Sequence, residues 1–263
     1  MKVCLANSLT SRRLNNEIAD FYDLVEPNEH EKRVRRGLIS RIENAIAKSI
    51  LPGASKVLCF GSFPVDLFLP TADMDLVLAT VTHINGGPKS LDFSRPKEKN
   101  RVLNTAASRL KTYGIATDTL CIRKAKVPIV KFTDLLTGIK VDISFENLSG
   151  IAAQGTFERW KKHMPDLHVI VALIKQFLVM RGFSDVHTGG LGGFSIICLV
   201  YFHLCDYNRR NVVKTPNVGT VFIDFLDFYG NRFDLARHRL VMEPPSLVNK
   251  VSCSSAELDL LHC

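Results

Sequence analysis

Apolar residues recur at helical spacing from the N-terminus: Leu14, Ile18, Phe21 and Val25 share one side of a predicted helix, which Pro27-Asn28 ends. Val34, Leu38, Ile42, Ala45 and Ile46 form a second stripe, with Lys32, Arg33, Arg35 and Arg36 largely elsewhere on that helix. Pro52-Gly53 stops it, and Lys56 to Phe60 reads as a first strand. Met74 to Ala79 alternates with period two. Lys126 to Phe132 and Ile139 to Phe145 read as two further strands, joined at Thr137-Gly138 into an antiparallel hairpin. Val102, Ala106, Leu110 and Tyr113 keep helical spacing between the second and third strands. Beyond Asn147 the pattern turns helical: Leu167, Val171, Ile174 and Leu178 make a stripe, followed by a glycine-rich turn, an apolar helix and a run from Val221 to Tyr229 that Gly230 should stop. From Glu243 onward no pattern stands out. The layout predicts an α+β protein whose ends are helical.

Composition narrows the class more than the activity. The 263 residues are 46% hydrophobic and 23% charged, which argues against a disordered or coiled-coil chain. A formal net charge of +8 suits an anionic partner such as nucleic acid or a phosphate-rich ligand. The seven cysteines are scattered and odd in number, unlike a disulfide framework or a zinc site, and fit a reducing compartment. The N-terminus has no signal-peptide pattern. The most apolar stretch, Leu191 to Cys205, is too short for a span of roughly 20 residues, so no membrane association is expected.

The candidate chemistry lies in Asp73-Met74-Asp75-Leu76-Val77-Leu78. Alternate side chains of a strand share a face, so Asp73 and Asp75 point together while Met74, Leu76 and Leu78 enter the core. On the later strand Asp142 alternates with Val141 and Ile143. If the two strands are neighbours, three carboxylates converge. Such a group calls for a cation, and hard oxygen donors suit Mg2+ or Mn2+ bridging substrate phosphates. A two-ion site of this kind activates a hydroxyl nucleophile and steadies a leaving pyrophosphate, with the third carboxylate best placed as general base. Upstream, Gly61 lets the backbone approach a phosphate, and Ser62, expected at the start of a short helix, offers its hydroxyl and N–H groups. An exposed acidic edge strand would also read Asp-X-Asp; the preceding Gly-Ser and the later Asp on a second apolar strand make the pattern more specific.

These segments, with Leu14-Asn15-Asn16-Glu17-Ile18, Phe60-Gly61-Ser62-Phe63, Leu69-Pro70-Thr71-Ala72-Asp73, Val141-Asp142-Ile143-Ser144-Phe145-Glu146, Lys175-Gln176-Phe177-Leu178, His187-Thr188-Gly189-Gly190-Leu191-Gly192-Gly193-Phe194-Ser195 and Asp224-Phe225-Leu226-Asp227-Phe228-Tyr229-Gly230, resemble the noncanonical poly(A) RNA polymerases of the nuclear TRAMP type, within the polymerase-β-like nucleotidyltransferases. The resemblance runs from about Leu14 to about Asp234. It implies a nucleotidyltransferase palm domain and a helical poly(A)-polymerase central domain built from both ends of the chain, with the nucleotide in the cleft between them. The corresponding segments are residues 1–50 (N-terminal helices of the central domain), 51–150 (catalytic), 151–240 (central) and 241–263 (a divergent tail).

The resemblance also implies roles. Asp73, Asp75 and Asp142 match the metal-binding triad for Mg2+ or Mn2+, and Gly61 and Ser62 the triphosphate-binding turn. Gly150 and Ala153 fall in the segment lining the nucleotide sugar, Lys175 matches the lysine that meets the triphosphate, and Gly193 and Phe194 stand where relatives put a small residue and a base-stacking aromatic. The expected reaction is addition of adenosines from ATP to an RNA 3′ end. A zinc-knuckle RNA-binding protein and an RNA helicase are the expected partners, and the nucleus, with the nucleolus, the expected location. Arg123, Lys124, Lys126, Lys131, Arg159, Lys161 and Lys162 are candidate phosphate contacts. Residues Glu243 to Cys263 do not resemble the family's base-selecting C-terminal motif, so a shortened central domain is expected. That leaves two alternatives open, a uridylyl- or mixed-nucleotide transferase and a catalytically impaired scaffold.

Overall fold

In the computed structural model, which describes residues 9–51, 53–211 and 217–250, the expected break separates α1 (Leu9–Val25) from α2 (Glu29–Ile50). Asn28 caps α2 by accepting a hydrogen bond from the Glu31 N–H at 2.9 Å, and Glu29 and Glu31 oppose the positive end of the helix dipole. The chain divides on either side of this break. Residues Pro27–Thr156 form a sheet unit, and 9–26 with 157–250 form a helical unit.

The sheet unit holds five strands in the order β1-β2-β5-β4-β3: β1 (Ser55–Phe60), β2 (Met74–Thr80), β3 (Ala116–Ile122), β4 (Ile129–Asp134) and β5 (Lys140–Phe145). Only β2 and β5 run parallel; the β4–β5 pair is the expected antiparallel hairpin. Its turn is held by the buried Asp134 carboxylate, which accepts from the Thr137 N–H (2.9 Å) and hydroxyl (2.7 Å) and pairs with Arg41 at 3.1 Å. β3 was not anticipated. It is an edge strand with an irregularity between Thr117 and Leu120, and its polar residues hide the alternation.

A short helix, α3 (Val81–Ile84), follows β2, and one face of the sheet packs under α2 and α4 (Pro96–Thr112). Leu38, Ile42, Ile46, Val102 and Leu110 meet Met74, Leu76, Leu78, Val130, Phe132, Val141 and Ile143 in a single core. This corrects the expectation for residues 1–50, because α2 belongs with the sheet rather than with the helical unit. The amphipathic stripe identified the face to be buried but not the surface that buries it. The short helix expected at Ser62 is also absent. Residues 61–66 are consecutive turns, since Pro64 and the left-handed Asp66 (φ 54°) prevent a helix from propagating.

The helical unit contains α1, most of α6 (Gln154–His163), α7 (Leu167–Met180), α8 (Gly193–Arg210) and α9 (Val218–Asp227). The Asn15 side chain accepts from the Val218 N–H at 3.1 Å, satisfying a donor at the start of α9. A Cβ on Gly219 would stand 3.1 Å from Leu14 Cγ, so glycine there permits the close approach of α1. Trp160 stacks on Tyr201 with ring centroids 4.0 Å apart. The helical path continues through Gly230 as a π turn, Phe228–Arg232, instead of stopping there. Residues beyond that turn, read as patternless from Glu243, include an antiparallel pair, β6 (His238–Met242) and β7 (Pro245–Asn249), lying against α8. The remainder of the expected tail, 251–263, lies outside the described residues.

Among the described residues no single helix is long and apolar enough to cross a membrane. Cys59, Cys121, Cys198 and Cys205 are free thiols.

His203 on α8 is fully buried, with Nε2 3.4 Å from Asp224 Oδ2. Burial lowers its pKa from 6.5 to about 4, opposed by the Asp224 charge. For Asp224, burial acts upward, but the hydrogen bond from Arg210 and the charges of Arg210, Arg232 and His203 hold its pKa below the ordinary value. An unfolded chain protonates His203 first, so this stability is fully present above pH 6.5 and is lost as pH falls toward 4. The melting temperature should therefore drop by several degrees between neutral pH and the acid side. His203→Leu should flatten that limb; an equal slope in the variant would refute this account.

Candidate active site

The parallel pairing of β2 and β5 sets Asp75 directly opposite Asp142, and the register continues to Phe60 on β1 and Lys131 on β4. Because side chains alternate, these four residues share the face turned away from α2 and α4, while Met74, Leu76, Val141 and Ile143 fill the core. Asp73 precedes β2 by one residue. The two strands are neighbours, so Asp75 and Asp142 stand side by side as the sequence pattern anticipated.

Lys131 Nζ lies 3.3 Å from Asp142 Oδ2 and 4.0 Å from Asp73 Oδ2. One ammonium thus stands between two of the carboxylates and offsets part of their repulsion. Sequence reasoning placed Lys131 among general phosphate contacts; its alternation with the buried Val130 and Phe132 is the signal that assigns it to the acidic face.

Gly61 brings the preceding turn into the same site. Its φ of +77° is readily adopted only by glycine, and a Cβ there would stand 2.8 Å from Asp75 Oδ2. Ser62 follows, and its carbonyl accepts from the Leu67 N–H at 2.9 Å, closing the turn. Cys59 nearby is no nucleophile: burial, with the Asp75 charge adding to it, raises its thiol pKa to about 12.

On the other side of the site, Glu146 ends β5 in a left-handed conformation (φ 54°). Its buried carboxylate accepts from the N–H groups of Thr80 (2.7 Å) and Ser90 (2.8 Å). This redirects the chain into the short helix α5 (Ser149–Ala152), capped by Ala153. A Cβ on Gly150 would penetrate the Phe60 ring, 2.2 Å from Cδ2, so glycine is required for α5 to lie on β1. Since Phe60 pairs with Asp75, Gly150 is placed beside the acidic face.

The remaining predicted residues belong to the helical unit. Lys175 on α7 is buried, not extended to solvent. A Cβ on Gly193, the first residue of α8, would be 3.6 Å from Lys175 Nζ, which puts the ammonium beside that helix start. Phe194 is 60% exposed and packs one side on Phe157 (5.4 Å between centroids), so it is not core. Among the candidate phosphate contacts, Arg123 donates to Asn104 at 2.7 Å and Arg159 pairs with Glu243 at 3.4 Å.

The donor set suits a hard divalent cation, and the bare backbone at Gly61 leaves open the space beside Asp75 that a Cβ would fill. Among the described residues no group of three or more His, Cys, Asp or Glu side chains is arranged to hold a metal ion. In sites of this kind substrate phosphates and water complete the coordination.

Residues 14–161, more than half of the chain, match the family model described as "Poly(A) RNA polymerase, mitochondrial-like, central palm domain". The chain belongs to this family. It is 39% identical over 84% of its length to Poly(A) RNA polymerase protein 1 of Eremothecium gossypii, and equally so to Poly(A) RNA polymerase protein 2 of Saccharomyces cerevisiae. These matches cover 33% and 36% of the relatives, so the chain spans about a third of their length. A Drosophila melanogaster protein named as an inactive noncanonical poly(A) RNA polymerase, Trf4-2, is 33% identical over 86% of this chain and 53% of its own. The polymerase core of TRAMP, an RNA surveillance complex, superposes with a TM-score of 0.77 at 35% identity, covering 92% of this chain and 72% of that one. The Cid1 poly(U) polymerase shares the fold, with a TM-score of 0.69 at 15% identity over 89% of this chain and 77% of its own. The matched residues take in the whole sheet unit with its acidic face, together with much of α1.

Removing Lys131 should leave the carboxylates facing one another. Lys131→Met is expected to lower the melting temperature by a few degrees, and Asp142→Asn in the same chain to recover most of the loss. The coupling in a double-mutant cycle should be about 0.5–1 kcal/mol, in the range of partly exposed pairs. Additive effects of the two substitutions would remove the ion-pair interpretation.

Proposed function

We propose that this chain carries the catalytic core of a template-independent RNA nucleotidyltransferase that adds adenosines from ATP to RNA 3′ ends. The supporting observation is the pairing of Asp75 with Asp142 on adjacent parallel strands, with Asp73 drawn to the same lysine. Similarity to relatives named poly(A) RNA polymerases supports the choice of adenosine. Asp73, Asp75 and Asp142 would hold Mg2+ or Mn2+, which when bound lowers the pKa of the attacking 3′-hydroxyl and stabilises the departing pyrophosphate.

The chain's own groups serve the rest. Asp142, the third carboxylate of the pattern, would receive the hydroxyl proton. The Gly61-Ser62 turn would give a triphosphate access to backbone N–H groups, and Lys175 is the ammonium that the sequence resemblance assigns to it. As the sequence resemblance implies, Gly150 and Ala153 would recognise the sugar, and Gly193 and Phe194 the base. The net charge of +8 favours approach of both polyanions. Similarity to the polymerase core of TRAMP, an RNA surveillance complex, supports assembly in a complex; a zinc-knuckle RNA-binding protein and an RNA helicase as the partners, and the nucleus with the nucleolus as the location, are what the sequence resemblance implies.

A second reading, a catalytically impaired scaffold, is favoured by the likeness to the relative named as inactive. Extension of a labelled oligo(A) primer with each nucleoside triphosphate in turn, in Mg2+ or Mn2+, separates the two. Extension should favour ATP and fall at least about a hundredfold in Asp75→Ala. Undiminished extension by Asp75→Ala would refute the metal assignment, preference for UTP would indicate a uridylyltransferase, and no extension by the parent would favour the scaffold.

A further inference from the structure

The connection between β1 and β2, residues 61–73, carries the phosphate-approaching turn at one end and Asp73 at the other, with no ladder hydrogen bonds of its own. It is gripped from α2 by residues three apart on one face of that helix. Lys32 Nζ is 3.1 Å from Asp66 Oδ1. Arg35, only 2% exposed, donates from Nη1 to the Ala72 carbonyl at 3.1 Å and from Nη2 to the Pro70 carbonyl at 3.0 Å. Its guanidinium lies 4.7 Å from the Phe68 ring centroid and 5.9 Å from that of Phe63.

A buried cation is costly unless its donors are satisfied, and burial lowers the Arg35 pKa, although a guanidinium stays charged throughout the ordinary pH range. Both of these acceptors are backbone carbonyls rather than a carboxylate. A lysine or glutamine could satisfy one carbonyl; only the planar fork of arginine grips two at a fixed spacing. The carbonyls it grips flank Thr71, and the second belongs to the peptide that joins Ala72 to Asp73. The direction in which the Asp73 side chain leaves the backbone is set at that peptide.

We infer that Arg35 is a positioning residue for Asp73: its fork fixes the Pro70–Ala72 backbone so that the Asp73 carboxylate faces Asp142 before any ligand arrives. The inference rests on the proposed role of Asp73 in metal binding and nucleotidyl transfer.

Arg35→Lys isolates geometry from charge, because the lysine keeps the positive charge but loses the fork. Circular dichroism checks folding, paramagnetic resonance titration with Mn2+ alone measures metal affinity, and primer extension measures kcat and KM for ATP. The expected result is a folded protein with roughly tenfold weaker Mn2+ binding, kcat lowered by about tenfold and KM for ATP changed less than about twofold. In an Asp73→Asn background, Arg35→Lys should add nothing to the loss of Mn2+ affinity, because the group it positions is already disabled.

Unchanged Mn2+ affinity in folded Arg35→Lys, or an additive loss with Asp73→Asn, would overturn the inference. If Arg35→Lys does not fold, Arg35→Gln, which removes the buried charge and can satisfy only one of the two carbonyls, is measured in its place. Weaker Mn2+ binding there supports the inference and unchanged binding overturns it. A parent that binds Mn2+ yet extends no primer would count against the proposed activity while leaving the positioning of Asp73 measurable.

Discussion

Two like unit charges about 4 Å apart repel by roughly 1 kcal/mol in water and about 4 kcal/mol at the screening typical of a protein surface. The β2–β5 pairing sets Asp75 opposite Asp142 in spite of that repulsion. A parallel pair cannot be closed by a tight turn. Here α4 and the strands β3 and β4 lie between the two, and the chain returns through the β4–β5 hairpin. The core face of the same strands, with Met74, Leu76, Val141 and Ile143 all fully buried, provides the binding free energy that holds the acidic face together. Lys131 sits within this geometry between Asp73 and Asp142, and Gly61 is the residue type that leaves Asp75 its space.

Period-two alternation was enough to place Asp73, Asp75 and Asp142 on one face, because both strands bury every second residue and a shift of one residue would expose an entire apolar set. It could not say that β2 and β5 are neighbours; that depends on long-range pairing. β3 escaped the same reasoning because Leu120 on this edge strand is 56% exposed and a bulge interrupts its register. The β6–β7 pair escaped because Pro244-Pro245 reads as a break, whereas the connection between these strands accommodates proline well.

Arg35 shows a different limit. Counted with Lys32, Arg33 and Arg36 it looks like part of a solvated charged face. Its position three residues before Leu38 and seven before Ile42 nevertheless places it on the apolar stripe, and that placement is the signal of a buried arginine. What it grips, two carbonyls 35 and 37 residues away, no local pattern contains. Phe194, near the start of the apolar helix α8, keeps its ring largely exposed, in line with an aromatic that is not core. The helix has apolar residues on more than one side, so periodicity alone did not choose its buried face.

The bond between Asn15 and Val218 joins residues 203 positions apart. Chains emerge from the ribosome N-terminus first, and domains generally fold as units while this happens. The sheet unit has its whole core once Thr156 is out, but α1, made before that unit, has no surface to dock on until α7 and α9 have followed. Closing so long a loop is slow as well as late. The order of synthesis therefore separates the assembly of the acidic face from that of the helices, and leaves the apolar side of α1 exposed to other proteins throughout the interval.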